Sequence, residues 1–374
     1  MSTATKVHHA DVIGSMLNPP ELVEARGQMR AGKLPYPEYR KIEDAAVDRS
    51  IKIQEDAGFD IVSDGEHRRD IYFGWLVSGL ESGMEMVEGR APVRFHGEGD
   101  VEFEVNIPFA VTGKIKAGPC PGLDEFNYAK SRTDKEIKIC LPSPTIMLAA
   151  FWDHKLSADA YPDPFVLGAE TRDIIVEWMK ELADAGCTYM QVDCPELIQA
   201  WGDPKFGDIL DGVDGDKFRE IGTELVASLG DVKLPGVTMA MHVCRGNGTQ
   251  SWLAEGGYEQ FSEHVFKEAP GYDIYLLEYD DDRSGDFKPL KNLPDDKVAV
   301  LGMVSTKWTA LEDPAELKAR IDEAAKYHPK EMLGLCTQCG FASASETAEE
   351  RKVTEQTQVD KLKLIADVAN DVWG

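Results

Sequence analysis

The chain has 374 residues, 43% hydrophobic and 29% charged, with 67 acidic side chains against 40 basic ones and a net charge of −27. That length buries a sizeable core, while so acidic a surface repels phosphate backbones and anionic lipid and argues against nucleic-acid or membrane partners. No apolar run approaches the roughly 18 residues of a membrane span, the N-terminal MSTATKVHHADVIGS lacks the apolar core of a signal peptide, and seven scattered cysteines read as free thiols in a reducing cytoplasm.

In chain order, short apolar runs alternate with amphipathic segments. DVIGS (11–15) precedes YPEYRKIEDAAVDRSIKIQEDAG, which puts Ile42, Ala45, Ala46, Ile51 and Ile53 near one helical face and stops at Gly58. DIVSDGE (60–66) follows. Residues 71–136 then alternate without a strong helical pattern, as in VRFHGEGDVEFEVNIPFAVTGKI and the turn-rich AGPCPGLDEF. They predict a β-hairpin insertion after the second strand. IKICLPSP (137–144) leads to LGAETRDIIVEWMKELADAG, a helix with Ile174, Ile175, Trp178, Met179 and Leu182 at helical spacing, ending at Gly186. The remaining apolar runs are YMQVDCPE (189–196), GVTMAMHVC (236–244), IYLLEYD (274–280), VAVLGMVST (298–306) and LGLCTQCGF (333–341). Before the last of them, Asp313, Pro314 and Glu316 have the spacing of a capped helix start. TEQTQVDKLKLIADVANDVWG closes the chain as a helix. Eight Val-, Ile- and Leu-rich runs separated by helices predict an α/β fold, a closed TIM (β/α)8 barrel forming one catalytic unit over residues 1–374.

In such a barrel the chemistry sits at the C-terminal ends of the strands. Those ends carry Ser15, Glu66, Pro142–Ser143, Asp193, His242 with Cys244, Glu278, Ser305–Thr306 and Cys339. Residues two apart on a strand face the same side, so His242 and Cys244 can reach one ion. Glu278 and Cys339 on neighbouring strands would complete a tetrahedral set, and two thiolates with an imidazole favour zinc. Cys336, inside its strand, reads as a core thiol, and Cys120, Cys140, Cys187 and Cys194 as structural. His67, His96, His154, His264 and His328 read as surface or supporting residues. EYDDDRSGDF lacks the ligand spacing of a calcium loop and reads as a solvated loop in which Arg283 pairs some of the acids. Glu66 and Asp193 either cap helices or contact a substrate amine.

The markers VIGS (12–15), SDGEHRRD (63–70), VDCPEL (192–197), MHVCRGN (241–247), LLEYDDDRSGDF (276–287) and TQCGFAS (337–343) together resemble the C-terminal catalytic barrel of cobalamin-independent methionine synthase, over nearly the whole chain. The resemblance implies zinc on His242, Cys244, Glu278 and Cys339. It also implies a homocysteine site with Ser15 at the carboxylate and Glu66 and Asp193 at the amino group. The implied reaction is methyl transfer from a methyl-folate to the homocysteine sulfur. Two departures stand out: the chain lacks the synthase's additional N-terminal barrel, and LGMVSTKWTALE holds Thr306 or Lys307 where the family has a catalytic histidine. Lys307 and Asp193 are the candidates left to move protons. The alternative reading is an enzyme similar to epoxyalkane:coenzyme M transferase, which would recruit a sulfonate with Arg68, Arg69 or Arg245. A third is a zinc-binding barrel without catalysis. A homo-oligomer is compatible with either enzyme.

Overall fold

The computed structural model describes residues 6–90, 92–97, 102–203, 205–248, 250–342 and 352–374. Residues 91 and 98–101 of the expected insertion and residue 343 of the TQCGFAS marker lie outside them.

Helices α1 (Pro20–Arg30) and α2 (Tyr36–Ala57) come first. The second ends at Gly58, whose φ of 98° suits a residue without a Cβ and lets its N–H bond to Glu55 O at 3.0 Å. Strand β1 (Ile61–Val62) is followed by α3 (Gly74–Ser78), β2 (Leu80–Met86), β3 (Val93–Gly97), β4 (Glu102–Val105), β5 (Phe109–Ala117) and α4 (Gly122–Lys130). Then come β6 (Glu136–Pro142), α5 (Pro164–Asp184), β7 (Tyr189–Asp193), α6 (Pro195–Gly202), α7 (Gly215–Gly230), β8 (Thr238–Val243) and β9 (Ser251–Trp252). The chain continues through α8 (Glu259–Glu268), β10 (Ile274–Glu278), β11 (Val298–Val304), α9 (Pro314–Ala324), β12 (Leu333–Thr337) and α10 (Glu355–Trp373).

Seven strands form one curled parallel sheet in the order β1-β6-β7-β8-β10-β11-β12. β7, β10, β11 and β12 are buried along their whole length, as strands covered on both faces must be, and this explains their near-continuous apolar sequence. Asp313 caps α9 as expected, its carboxylate accepting from Ala315 N.

The run 11–15 is not a ladder strand. Ala10 makes a single parallel bridge to Leu335, and Asp11 N donates to Leu335 O at 3.1 Å. Beyond that point side chains take the carbonyls a neighbouring strand would use. Lys138 Nζ takes Val12 O at 2.5 Å, Gln191 Nε2 takes Ile13 O at 2.8 Å and Ser63 Oγ takes Gly14 O at 2.5 Å. Met16 N then bonds to Gly65 O at 3.0 Å, so the segment lies between β12 and the loop after β1.

Residues 71–136 hold more than a hairpin. β2 pairs antiparallel with β5, and β3 pairs with β4 and, across the molecule, with β9. α4 occupies the stretch read from sequence as turn-rich, because Phe126 and Ala129 fall on one buried face behind Pro121. The β3–β9 pairing ties this segment to the loop that follows Cys244.

Candidate functional site

Register places the reactive ends together. Asp193 at the end of β7 sits opposite His242 of β8, and β8 pairs on its other edge with β10, which ends at Glu278. Chain direction then carries Cys244 just past β8 and Cys339 just past β12 to the same end of the sheet. The ligand atoms of His242, Cys244 and Cys339 all lie within 4.8 Å of one another, and the three residues are buried. The two sulfurs are 3.6 Å apart. His242 Nδ1 lies 3.2 Å from the Leu276 carbonyl, which assigns the proton to that nitrogen. The lone pair of Nε2 therefore faces the sulfurs, and Nε2 is buried with no hydrogen-bond partner. Contact with Cys339, together with burial, pushes the Cys244 thiol well above its usual range. Two buried sulfurs so close ionise together only with a cation between them. Two thiols and an oriented imidazole are the soft donor set that suits zinc.

Glu278 is not among the three residues whose ligand atoms meet. Its Oε2 accepts from Arg245 N at 2.6 Å, and its Oε1 lies 3.3 Å from Lys307 Nζ and 3.6 Å from Arg283 Nη2. Burial raises its pKa, but Lys307, Arg245 and Arg283 outweigh burial and hold it below the ordinary carboxylate range. Lys307 in turn sits 2.9 Å from Asp280. Burial works to discharge it, yet Glu278 and Asp280 raise its pKa above the usual lysine value. A lysine held charged in this way is a counter-ion to the acids around it. Arg283, placed in a solvated loop by sequence, also lies over the Trp252 ring at 4.0 Å.

Glu66, Cys140 and Asp193 form a second buried group. Glu66 adopts φ 55°, in the left-handed region that non-glycine residues rarely enter. Its carboxyl is pushed up to about 8 by burial, with Asp193, Asp64 and Glu125 adding to the effect and Arg69 opposing it. Asp193 is pushed up to about 6 by burial, against the pull of His242 and of a 2.7 Å hydrogen bond from Gln191. Gly14 makes room for the group: a Cβ there would lie 2.2 Å from Glu66 Oε1 and 2.6 Å from Cys140 Sγ. Ser15 is close by, its Oγ accepting from Ala342 N at 3.3 Å. A Cβ on Gly340 would strike that oxygen at 2.0 Å.

Both groups open into one cavity of about 800 Å³, lined by Ser15, Glu66, Asp193, His242, Cys244 and Cys339 among others. Its outer wall comes from the 71–136 segment, with Tyr72, Phe73 and Phe95 exposed to the space. Sequence reasoning missed several residues here. Gln191 links the buried Lys138 ammonium, 2.9 Å away, to Asp193. Asn247 and Gln338 cross-link Thr306 and the Gly340 carbonyl at 2.9–3.2 Å. Glu196 accepts from the Tyr72 hydroxyl at 2.7 Å. Only Glu196 had a visible signal, an acid three residues beyond Asp193 at a Pro-started helix.

The three arginines named for a sulfonate are engaged. Arg68 pairs with Glu43 and Asp44 at 2.8 Å each, and Arg69 pairs with Glu125 at 2.6 Å over the Trp75 ring. Arg245 donates to Gly256 O at 2.7 Å and lies over Tyr258. His67 and His328 are buried, unlike the exposed His96 and His154 and the half-buried His264, which stacks on Trp201. His67 Nε2 lies 2.6 Å from Ser50 Oγ, which anchors the turn behind Glu66.

Residues 9–205 match the family model described as the catalytic domain of cobalamin-independent synthase. An uncharacterized Bacillus subtilis protein, YxjG, is 33% identical over 97% of this chain and 94% of its own length. A methionine synthase from Sulfolobus acidocaldarius is 23% identical over 97% of this chain and 93% of its own. Among solved structures, a provisionally named vitamin-B12 independent methionine synthase from Listeria monocytogenes superposes with a TM-score of 0.71 at 25% identity, covering 99% of this chain and 100% of that one.

Proposed function

This chain belongs to the cobalamin-independent methionine synthase family, and we propose that it transfers a methyl group from a methyl-folate type of donor to the sulfur of homocysteine. The observation that carries the reading is the meeting of His242 Nε2 and the Cys244 and Cys339 sulfurs at the floor of a cavity that also holds Glu66 and Asp193. His242, Cys244 and Cys339 would hold zinc, with Glu278 as a fourth ligand if its carboxylate leaves Lys307 and Arg283. Bound there, zinc would lower the pKa of the acceptor thiol and fix its direction.

The protein's own residues do the rest. Glu66 and Asp193 accept the acceptor's ammonium group, and Ser15 offers its hydroxyl to the carboxylate. Gly14 and Gly340 keep those three side chains in place by leaving no atom in their way. Asp193, near neutrality, is suited to take the thiol proton, whereas Lys307 is held charged as a counter-ion. The engaged Arg68, Arg69 and Arg245 count against a sulfonate acceptor and leave the amino-thiol as the better fit.

The same reading takes residues 10–16 as the eighth strand position, closing the sheet into a (β/α)8 barrel with residues 71–136 inserted. The Ala10–Leu335 bridge and the Met16–Gly65 bond support it. Among the described residues no helix is long and apolar enough to cross a membrane. Seven buried cysteines without a disulfide among those residues fit a reducing cytoplasm.

The test is direct. Zinc-loaded protein incubated with homocysteine and a methyl-folate should form methionine, detected by mass. Methylation of coenzyme M in preference to homocysteine would overturn the choice of acceptor, and methylation of neither would overturn the reaction.

A further inference from the structure

Glu196 is 2% exposed, lines the cavity, and has no role in the reaction as proposed above. Its Oε1 accepts from the Tyr72 hydroxyl at 2.7 Å. Its Oε2 lies 3.0 Å from Ser143 Oγ and 3.1 Å from Thr145 Oγ1, and those two hydroxyls are 2.6 Å from each other. Three oxygens thus make three mutual contacts, all buried. Each hydroxyl has one proton to donate, so the two together serve two of the three contacts. An ionised carboxylate brings no proton, and one pair of buried oxygens would face each other with nothing between them. A proton on Oε2 completes the ring: the carboxyl donates to one hydroxyl, that hydroxyl to the other, and the second back to Oε2. Tyr72 still donates to Oε1.

We infer that Glu196 is stored as the neutral acid and that, through the Tyr72 hydroxyl, it supplies the proton to the departing group of the alkyl donor. This role rests on the alkyl-transfer reading; the storage of the proton does not. Burial pushes the Glu196 carboxyl above its usual range even against the hydrogen bonds it accepts, and burial does the same to the Tyr72 phenol. Tyr72 lines the same cavity as Cys244 and Cys339 and lies close enough to Cys244 and Asp193 for their charges to act on it.

The step balances. A carbon–nitrogen bond of the donor breaks and a sulfur–carbon bond forms. The electron pair stays on nitrogen, which takes the proton of the Tyr72 hydroxyl once that hydroxyl turns from Glu196 Oε1 to the donor; a half-turn of the Glu196 carboxyl about its Cγ–Cδ bond brings its O–H to the phenol oxygen, which takes that proton. Glu196 regains a proton from water, and the acceptor thiol has released one, so the sum is thiol plus methylamine giving thioether plus amine.

Glu196→Gln is the test variant, because an amide keeps one donor and one acceptor in the same shape and should fold. In infrared difference spectra at neutral pH, wild type minus Glu196→Gln should show the carbonyl band of a protonated carboxylic acid. A carboxylate band in its place overturns the stored proton. In single turnovers, Glu196→Gln and Tyr72→Phe should slow methylation of homocysteine by a methyl-folate by about 10²-fold or more. Methylation by methyl iodide, whose leaving group needs no proton, should be unchanged. Equal slowing with both donors, or no slowing with either, overturns the relay. If wild type is methylated by neither donor, the alkyl-transfer reading fails and the relay with it, while the infrared band still reports the proton.

Discussion

The proton of His242 is held at Nδ1 by the Leu276 carbonyl, and that single contact orients a core imidazole as a metal ligand would need, with its other nitrogen towards two sulfurs. Cys244→Ser keeps the shape and removes one soft donor. Its zinc affinity should fall by more than the roughly 100-fold that loss of an outer hydrogen-bond partner costs, with methyl transfer lost alongside. A competition titration against a chelator checks this, and a variant that holds zinc as tightly as wild type removes Cys244 from the site. Glu66 gives a second prediction. Its carboxyl is raised to about 8, mainly by burial, so the folded protein holds a proton there that the unfolded chain releases near the ordinary carboxyl pKa. The stability this contributes is full below that ordinary value and is lost as pH rises through 8. Thermal midpoints between pH 6 and 9 should decline in wild type and decline less in Glu66→Gln; identical slopes would contradict the assignment. That His242, Cys244 and Cys339 would meet was legible in the sequence because i and i+2 share a strand face and because strand ends share a rim. Glu278 shows what was not. Its place on the rim was readable, but the three cations that hold it come from residues 245, 283 and 307, and only the folded chain brings them together.

Among the elements, the parallel strands were legible from their apolar runs and bounding residues, since burial on both faces leaves no alternation to misread. The first run was not, because side-chain hydrogen bonds from Lys138, Gln191 and Ser63 replace the ladder, and no local pattern encodes partners that lie 49 to 178 residues away. α4 was missed because Pro119 and Pro121 before it and its first residue, Gly122, announce a turn while its buried Phe126 and Ala129 lie just beyond. The N-terminal segment is held chiefly by the fully buried Lys138–Asp11 pair at 2.7 Å, with the Tyr189 hydroxyl on the other Asp11 oxygen at 2.8 Å. Lys138→Met would leave Asp11 buried without its cation and should cost about 3–5 kcal/mol, measured by urea unfolding. A loss below about 1 kcal/mol would mean the pair does not tie the segment to the sheet.

For the molecule as a whole, a net charge of −27 coexists with a cavity whose floor carries the carboxyls of Glu66 and Asp193, the pair proposed to hold an ammonium, and whose outer wall includes Tyr72, Phe73 and Phe95. The cavity, at about 800 Å³, lies within the roughly 300–1,000 Å³ range of sites for drug-sized ligands, leaving room for a donor beyond a small amino-thiol. The proposed reaction depends on one metal ion held between His242, Cys244 and Cys339. Zinc-edge X-ray absorption of the purified protein, with and without homocysteine, tests that most directly. The account predicts one zinc with two sulfur neighbours that gains a third sulfur when homocysteine is added. Protein without zinc, or a sulfur count that homocysteine leaves unchanged, would contradict it.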